Sequence, residues 1–303
     1  MRAIPWAVLV VCLGTVAAAA QDGGREAEVL EMLRGMGAAA DGEEGAKLLV
    51  ELGALQQARG DLSGSAGNTY RALRILETRF GREDPVLVPV LTNLIGLELQ
   101  SGAMKQAMRL ADRMTTIAPA VKDATEAGWL HFMVGSARQA GGARREAEEA
   151  YQRALGLWES GGRRDGSLES KVRNNLAMMY AGAGRRREAR EQLEALVRGA
   201  ESEGRVDEGL VKPLTNLGAL LYLDGRHGEA EAVLARAYEI AASRAAENRV
   251  LLGQVAANYA VVLEKRKQKE RSRQMMEVAK RALGEIEQRR RHTVDVLTLL
   301  PAQ

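Results

Sequence analysis

Four asparagines stand at one repeating position in this chain: Asn93, Asn175, Asn216 and Asn258. The same position carries Glu51 and Met133 in the two remaining copies of the period. A primary amide offers a donor and an acceptor together, so a row of amides can pair with the main chain of an extended segment whatever its side chains. Asparagine is a poor helix former and adds nothing to a core, so its recurrence on one helical face asks for a polar task. Pairing between neighbouring helices to fix their spacing is the other task open to it. One helical turn earlier the positions are Lys47, Pro89, Trp129, Lys171, Lys212 and Gln254, which adds cations beside two of the amides. In the third copy Trp129, Phe132 and Met133 replace polar residues and leave an apolar spot. Exposed, that spot is an anchor of the kind found in binding-surface cores; buried, it is repeat packing.

Covalent and metal chemistry finds little support. The three histidines, His131, His227 and His292, lie far apart, and Cys12 is the only cysteine. There is no His-Glu-x-x-His helix, phosphate loop, Gly-x-Ser-x-Gly elbow or Asp-rich calcium loop. Gly182 and Gly184 followed by Arg185, Arg186 and Arg187 look like a phosphate cradle in isolation. The glycine nevertheless recurs at Gly142 and Gly225, and basic residues follow those turns too, at Arg144, Arg145 and Arg226. A solvated rim explains them. The chain is therefore expected to be no enzyme and to carry no metal or cofactor.

The elements that must position the amides recur with a period of about 42 residues. Leu52-Gly53, Leu94-Ile95, Val134-Gly135, Leu176-Ala177, Leu217-Gly218 and Tyr259-Ala260 form a column that steps by 42, 40, 42, 41 and 42 residues. Seven residues on comes a turn glycine, Gly60, Gly102, Gly142, Gly184 and Gly225, with Lys267 in the last copy. Five further come Ser65, Ala107, Ala147, Ala189, Ala230 and Ser272; seven beyond those come Ala72, Met114, Ala154, Leu196, Ala237 and Ala279. Small residues at fixed places in a helix, tight turn and helix predict hairpins that pack closely and stack on one another.

On these columns, and on Gly218-Ala219-Leu220-Leu221-Tyr222-Leu223-Asp224-Gly225-Arg226-His227-Gly228-Glu229-Ala230, Tyr151-Gln152-Arg153-Ala154-Leu155 and Tyr70-Arg71-Ala72-Leu73, the chain resembles the tetratricopeptide repeat. The repeat length is that of the kinesin light chain type. Phe80-Gly81-Arg82-Glu83-Asp84-Pro85-Val86 resembles its inter-repeat linker, with Asp84 where that type usually has histidine. The resemblance covers about residues 46–285. It implies an all-α fold, a right-handed α-solenoid of about six hairpins at 46–84, 85–124, 125–166, 167–208, 209–249 and 250–286. It further implies that the first helix of each hairpin lines a concave groove. In peptide-binding members of the family asparagines at this column contact peptide main chain, which implies that role for Asn93, Asn175, Asn216 and Asn258. Lys171 with Asn174 and Asn175, beside Lys212 with Asn216, is similar to part of the arrangement that holds peptide carboxylates. The match is incomplete, because Ala257 and Val261 stand where another cation would help. Trp129, Phe132 and Met133 complete the candidate peptide-binding set.

Outside the repeats, Arg2 precedes an apolar run from Ile4 to Val16 and small residues to Ala20. This reads as a secretory signal peptide over 1–20, too short for a stable membrane span, with the mature chain exported to a bacterial periplasm or beyond. The mature chain would hold no cysteine and so must rely on packing. Residues 21–45 read as a capping helix and loop, with Val29, Leu30, Leu33 and Met36 on one stripe. Residues 287–303 form a basic, then apolar tail, expected to pack on the last hairpin, with a mobile docking peptide as the alternative. Formal net charge is +3, but residues 22–60 hold eight acids and four bases whereas 264–291 hold eleven bases and five acids. Such polarity steers acidic partners, favours head-to-tail contacts, or serves only to solvate helix faces. The expected partner is a protein or extended peptide, with acidic side chains and a free C-terminal carboxylate both candidates, and with no nucleic acid. The alternative is an assembly scaffold of an envelope or secretion complex that uses its ends or convex surface.

Overall fold

A computed structural model describes residues 24–161, 166–243 and 248–287. The signal peptide over 1–20, Cys12, His292 and residues 288–303 of the tail lie outside the described residues. The described chain is all helix and turn, in thirteen α-helices. In order they are α1 Gly24–Met36, α2 Glu43–Ala58, α3 Leu62–Phe80, α4 Val88–Gln100, α5 Met104–Ile117, α6 Ala124–Ala140, α7 Arg144–Ser160, α8 Gly166–Gly182, α9 Arg186–Ser202, α10 Val211–Leu223, α11 His227–Ser243, α12 Arg249–Lys265 and α13 Lys269–Glu287. After α1 they pair as six antiparallel hairpins. Two compact units divide the chain, unit 1 over Met1–Arg164 and unit 2 over Asp165–Gln303. Each contains three hairpins. No helix among the described residues is long and apolar enough to cross a membrane.

The small-residue columns are the contact lines of the hairpins. Ala72, Met114, Ala154, Leu196, Ala237 and Ala279 are all buried, as are Ser65 and Ser272. A Cβ built on Gly135 would lie 2.6 Å from the Tyr151 ring, and one on Gly218 would lie 2.5 Å from Leu234 Cγ. Distances that short leave little room for a larger residue, so in the hairpins that carry Gly53, Gly135 and Gly218 the two helices meet at hydrogen-only positions. The turns set a second demand. Five of them place glycine at positive φ, for example +82° at Gly142 and +75° at Gly225, and the sixth places Lys267 at φ +62°. That left-handed conformation is strained for any residue with a Cβ.

The linkers between hairpins are capped by a column of short polar residues that the repeat pattern did not single out. Asp84 Oδ1 accepts from Val86 N at 2.9 Å, Asp123 Oδ1 from Glu126 N at 2.8 Å, Asp207 Oδ1 from Gly209 N at 2.8 Å, and Asn248 Oδ1 from Leu251 N at 3.1 Å. Each satisfies an amide that the start of a helical segment leaves without an intrahelical partner. Asp84 therefore has a local task of its own at the linker position where the resemblance leads one to expect histidine.

At the start of unit 1, α1 lays Val29 against Leu52 and Leu55, with Leu30, Leu33 and Leu48 packed around them. This closes the apolar end of the first hairpin. Arg59 to Glu26 at 2.6 Å and Arg25 to Glu51 at 2.7 Å pin the helix in place. In both units ion pairs join neighbouring hairpins: Arg113 to Glu77 in unit 1, Arg236 to Glu201 and Arg190 to Asp224 in unit 2.

Candidate peptide-binding faces

The amide column falls on the first helix of every hairpin: Glu51 on α2, Asn93 on α4, Met133 on α6, Asn175 on α8, Asn216 on α10 and Asn258 on α12. All six lie two residues before the close-packed column, so each helix turns this position away from its own hairpin partner. In unit 1 most of the face is satisfied from within. Glu51 Oε1 accepts from Arg25 Nε at 2.7 Å, bringing the capping helix onto the first column position. Lys47 reaches Glu44 at 2.7 Å and Glu43 at 3.6 Å, and the Glu44 hydrogen bond raises its pKa above the ordinary lysine value. Pro89 is buried and Asn93 half-buried.

On α6, Phe132 and Met133 are only 9 % and 8 % exposed, so they belong to the packed interior of unit 1. Trp129 is half-buried with its ring centroid 5.2 Å from that of Phe132, and Phe132 continues to Tyr151 at 6.1 Å. The indole Nε1 of Trp129 is enclosed, with no hydrogen-bond partner among the described residues. Of the three candidate residues on α6, Trp129 alone keeps appreciable surface.

Unit 2 differs. Lys171 and Lys212 are exposed and make no ion pair among the described residues. Asn174, Asn175, Asn216 and Asn258 are half-buried. Asn216 Nδ2 donates to Met178 Sδ at 3.3 Å, which joins the faces of α10 and α8. Nδ2 of Asn258 and Oδ1 of Asn174 are enclosed with no partner among the described residues. One turn beyond Asn175 and Asn258 on their helices stand Met178, 44 % exposed, and Val261, 38 % exposed. The face thus carries three rows: cations, amides and apolar side chains. The apolar row was not legible in the sequence, where Val261 stood out only as the place of a missing cation and Met178 looked like an ordinary helix-packing position.

The other groups with potential chemistry have structural partners. His131 is half-buried on α6, and burial together with the charge of Arg153 lowers its pKa. His227 packs at a tilt against Tyr222, ring centroids 5.1 Å apart, across the turn between α10 and α11. Two of the three arginines after Gly184 are engaged by carboxylates, Arg185 with Glu188 and Arg187 with Glu191 at 2.9 Å, while Arg186 is exposed; Arg185 also lies 4.2 Å from the Tyr180 ring centroid. No group of three His, Cys, Asp or Glu side chains able to hold a metal ion occurs among the described residues.

No protein-family model matches the chain, and no curated protein matches it. Solved structures do. BtubC (BKLC) from P. vanneervenii is similar at 18 % identity and a TM-score of 0.62, over 81 % of this chain and 98 % of that one. A putative kinesin light chain of nearly identical TPR-like repeats from Podosopora anserina is similar at 17 % identity and a TM-score of 0.54, over 65 % and 95 %. This is a tetratricopeptide-repeat fold. A Rap protein complexed with Competence and Sporulation Factor shares it at 17 % identity and a TM-score of 0.51, over 82 % of this chain and 66 % of that one.

Proposed function

We propose that this tetratricopeptide-repeat chain is a non-enzymatic protein-interaction module that binds an extended peptide on the first-helix faces of α8, α10 and α12. The observation that carries the reading is the combination of two exposed lysines without ion pairs and a row of three half-buried asparagines. Elsewhere in the chain the arginines are largely engaged with carboxylates. The amides of Asn175, Asn216 and Asn258 suit main-chain groups of an extended segment, because such a segment presents unpaired N–H and C=O along its length. Lys171 and Lys212 suit carboxylates on the same segment, whether acidic side chains or a C-terminus. In unit 1, Asn93 and Trp129 offer a smaller surface of the same kind, with Phe132 and Met133 buried in the same helix. The similarity to a Rap protein complexed with Competence and Sporulation Factor supports a partner-binding role for the fold. The signal-peptide pattern at the N-terminus supports action outside the cytoplasm, in the periplasm or beyond.

The test is binding of the mature full chain to an array of random-sequence peptides, beside the triple variant Asn175→Ala, Asn216→Ala, Lys212→Ala, with folding checked by circular dichroism. Selective capture of acidic peptides by the wild type and its loss in the folded variant are expected. Equal capture by both would move function to the outer surface or the ends, as in an assembly scaffold.

A further inference from the structure

Met178 occupies an unusual place for a methionine. It is 44 % exposed on α8, and its Sδ accepts the hydrogen bond from Asn216 Nδ2 at 3.3 Å. A thioether is a weak acceptor, so this contact leaves the amide easily drawn away by a better one, such as a peptide carbonyl. We propose that Met178 is an oxidation site whose sulfoxide captures Asn216 and closes the centre of the amide row. The consequence for binding rests on the peptide-binding reading of unit 2; the capture of Asn216 does not.

The chemistry needs a two-electron oxidant of the peroxide class. The thioether sulfur attacks one peroxide oxygen, the S–O bond forms as the O–O bond breaks, and sulfur is oxidised by two electrons. The transferred oxygen gives up its proton, and the departing oxygen, reduced, leaves as water. Exposure governs which methionines react. Met114 is fully buried and Met133 nearly so, whereas Met32 on α1 is 49 % exposed and lies in the other unit. Met32 is therefore an internal control of equal access.

Two consequences point the same way. The sulfoxide oxygen is a far stronger acceptor than the sulfur it replaces, and it forms within reach of an amide that already points there. The oxidised side chain is also polar, so the row it shares with Val261 loses its more exposed apolar member. Both changes weaken the hold on an extended peptide. Because methionine sulfoxide is enzymatically reducible, the closure is reversible.

The experiment uses the full mature chain, isotope-labelled on nitrogen and treated with hydrogen peroxide under native conditions. Peptide mass mapping should show one added oxygen on Met178 and Met32 well before Met114 or Met133. The side-chain NH2 protons of Asn216 should move downfield in the wild type and in Met32→Leu, but stay in place in Met178→Leu. Binding to the random-peptide array should fall about fivefold on oxidation, the worth of roughly one hydrogen bond. Methionine sulfoxide reductases that act on both epimers should restore it. Oxidised Met178 with an unmoved Asn216 resonance would overturn the proposal. So would a loss of array binding on oxidation that is as large in Met178→Leu as in the wild type. Failure of the peptide-binding reading shows separately, as equal array binding by unoxidised wild type and the folded triple variant, and the Asn216 resonance then decides alone.

Discussion

The two units are built from the same hairpin and differ in what their first-helix faces have left to offer. In unit 1 the column reads Glu51, Asn93 and Met133, and two of the three are already taken, Glu51 by Arg25 and Met133 by burial. Its lysine, Lys47, is held by Glu43 and Glu44. In unit 2 the column is all asparagine, with Asn216 already donating to Met178, and what sets this face apart is that the lysines beside it are exposed without ion pairs. Hairpin packing is therefore common property, and the charge and polarity of the first-helix faces are a local variation placed on it. Groups that are satisfied internally add stability, whereas Lys171 and Lys212, exposed and without ion pairs, remain open to a ligand.

If packing is shared, a break in it should act alike in both units and more strongly than any change to a face. Gly135→Val drives a branched side chain into the buried Tyr151 ring, and Gly218→Val drives one into Leu234. Expected losses of stability are about 3 kcal/mol for the first and about 2 kcal/mol for the second, whose flexible alkyl neighbour can move aside. Urea unfolding measures both. If either glycine proves neutral, the close approach is not what fixes that hairpin.

Next in size are the faces themselves. The triple variant Asn175→Ala, Asn216→Ala, Lys212→Ala should weaken peptide binding on the order of 100-fold, about 2.7 kcal/mol, with an unchanged melting temperature. Glu51→Ala should do the reverse, lowering stability by roughly 0.5 kcal/mol through loss of a partly exposed ion pair while binding holds. A Glu51 variant that loses ligand, or a triple variant that loses stability, would erase the distinction between the units.

The hairpins were legible in the sequence because their signals are ones no neighbour can supply. Only glycine enters the left-handed turn without strain, and only glycine permits the approach of Tyr151 and Leu234, so both recur visibly at Gly142, Gly225, Gly135 and Gly218. The asparagine column was legible for the same reason of period. Whether each position is free was not. Arg25 neutralises Glu51 from 26 residues away, and Asn216 meets Met178 from 38 away, so the outcome depends on packing that no local pattern encodes. The face at Trp129, Phe132 and Met133 left two readings open in the sequence, and the structure buries Phe132 and Met133 while leaving Trp129 half-buried.

Smaller effects sharpen the view of the last hairpin, where unit 2 departs from its own rules. Lys267 sits at φ +62° where the other five turns have glycine. Lys267→Gly should raise stability by about 1 kcal/mol, since the left-handed penalty it relieves exceeds the entropy that glycine adds to the unfolded chain. A destabilised Lys267→Gly variant would mean that the lysine side chain holds the turn together.

The smallest effect concerns the carboxylate that ties this hairpin to its neighbour. Glu231 on α11 meets Arg266 at 2.6 Å, Arg271 at 2.8 Å and the Gln268 amide at 2.8 Å. Burial pushes its pKa up, but the hydrogen bonds from Gln268 and Arg271 and the charges of Arg266 and Arg271 outweigh it, and the value falls below the ordinary 4.5. A carboxylate with a depressed folded pKa stabilises the protein above its unfolded pKa, and that contribution disappears as pH falls through the folded value. The wild type should therefore melt on the order of 1–2 °C above Glu231→Gln at pH 7, with the gap closing below about pH 4. A gap that persists in acid would show that the glutamate acts there through shape and hydrogen bonding, with its charge contributing nothing to the joint between the last two hairpins.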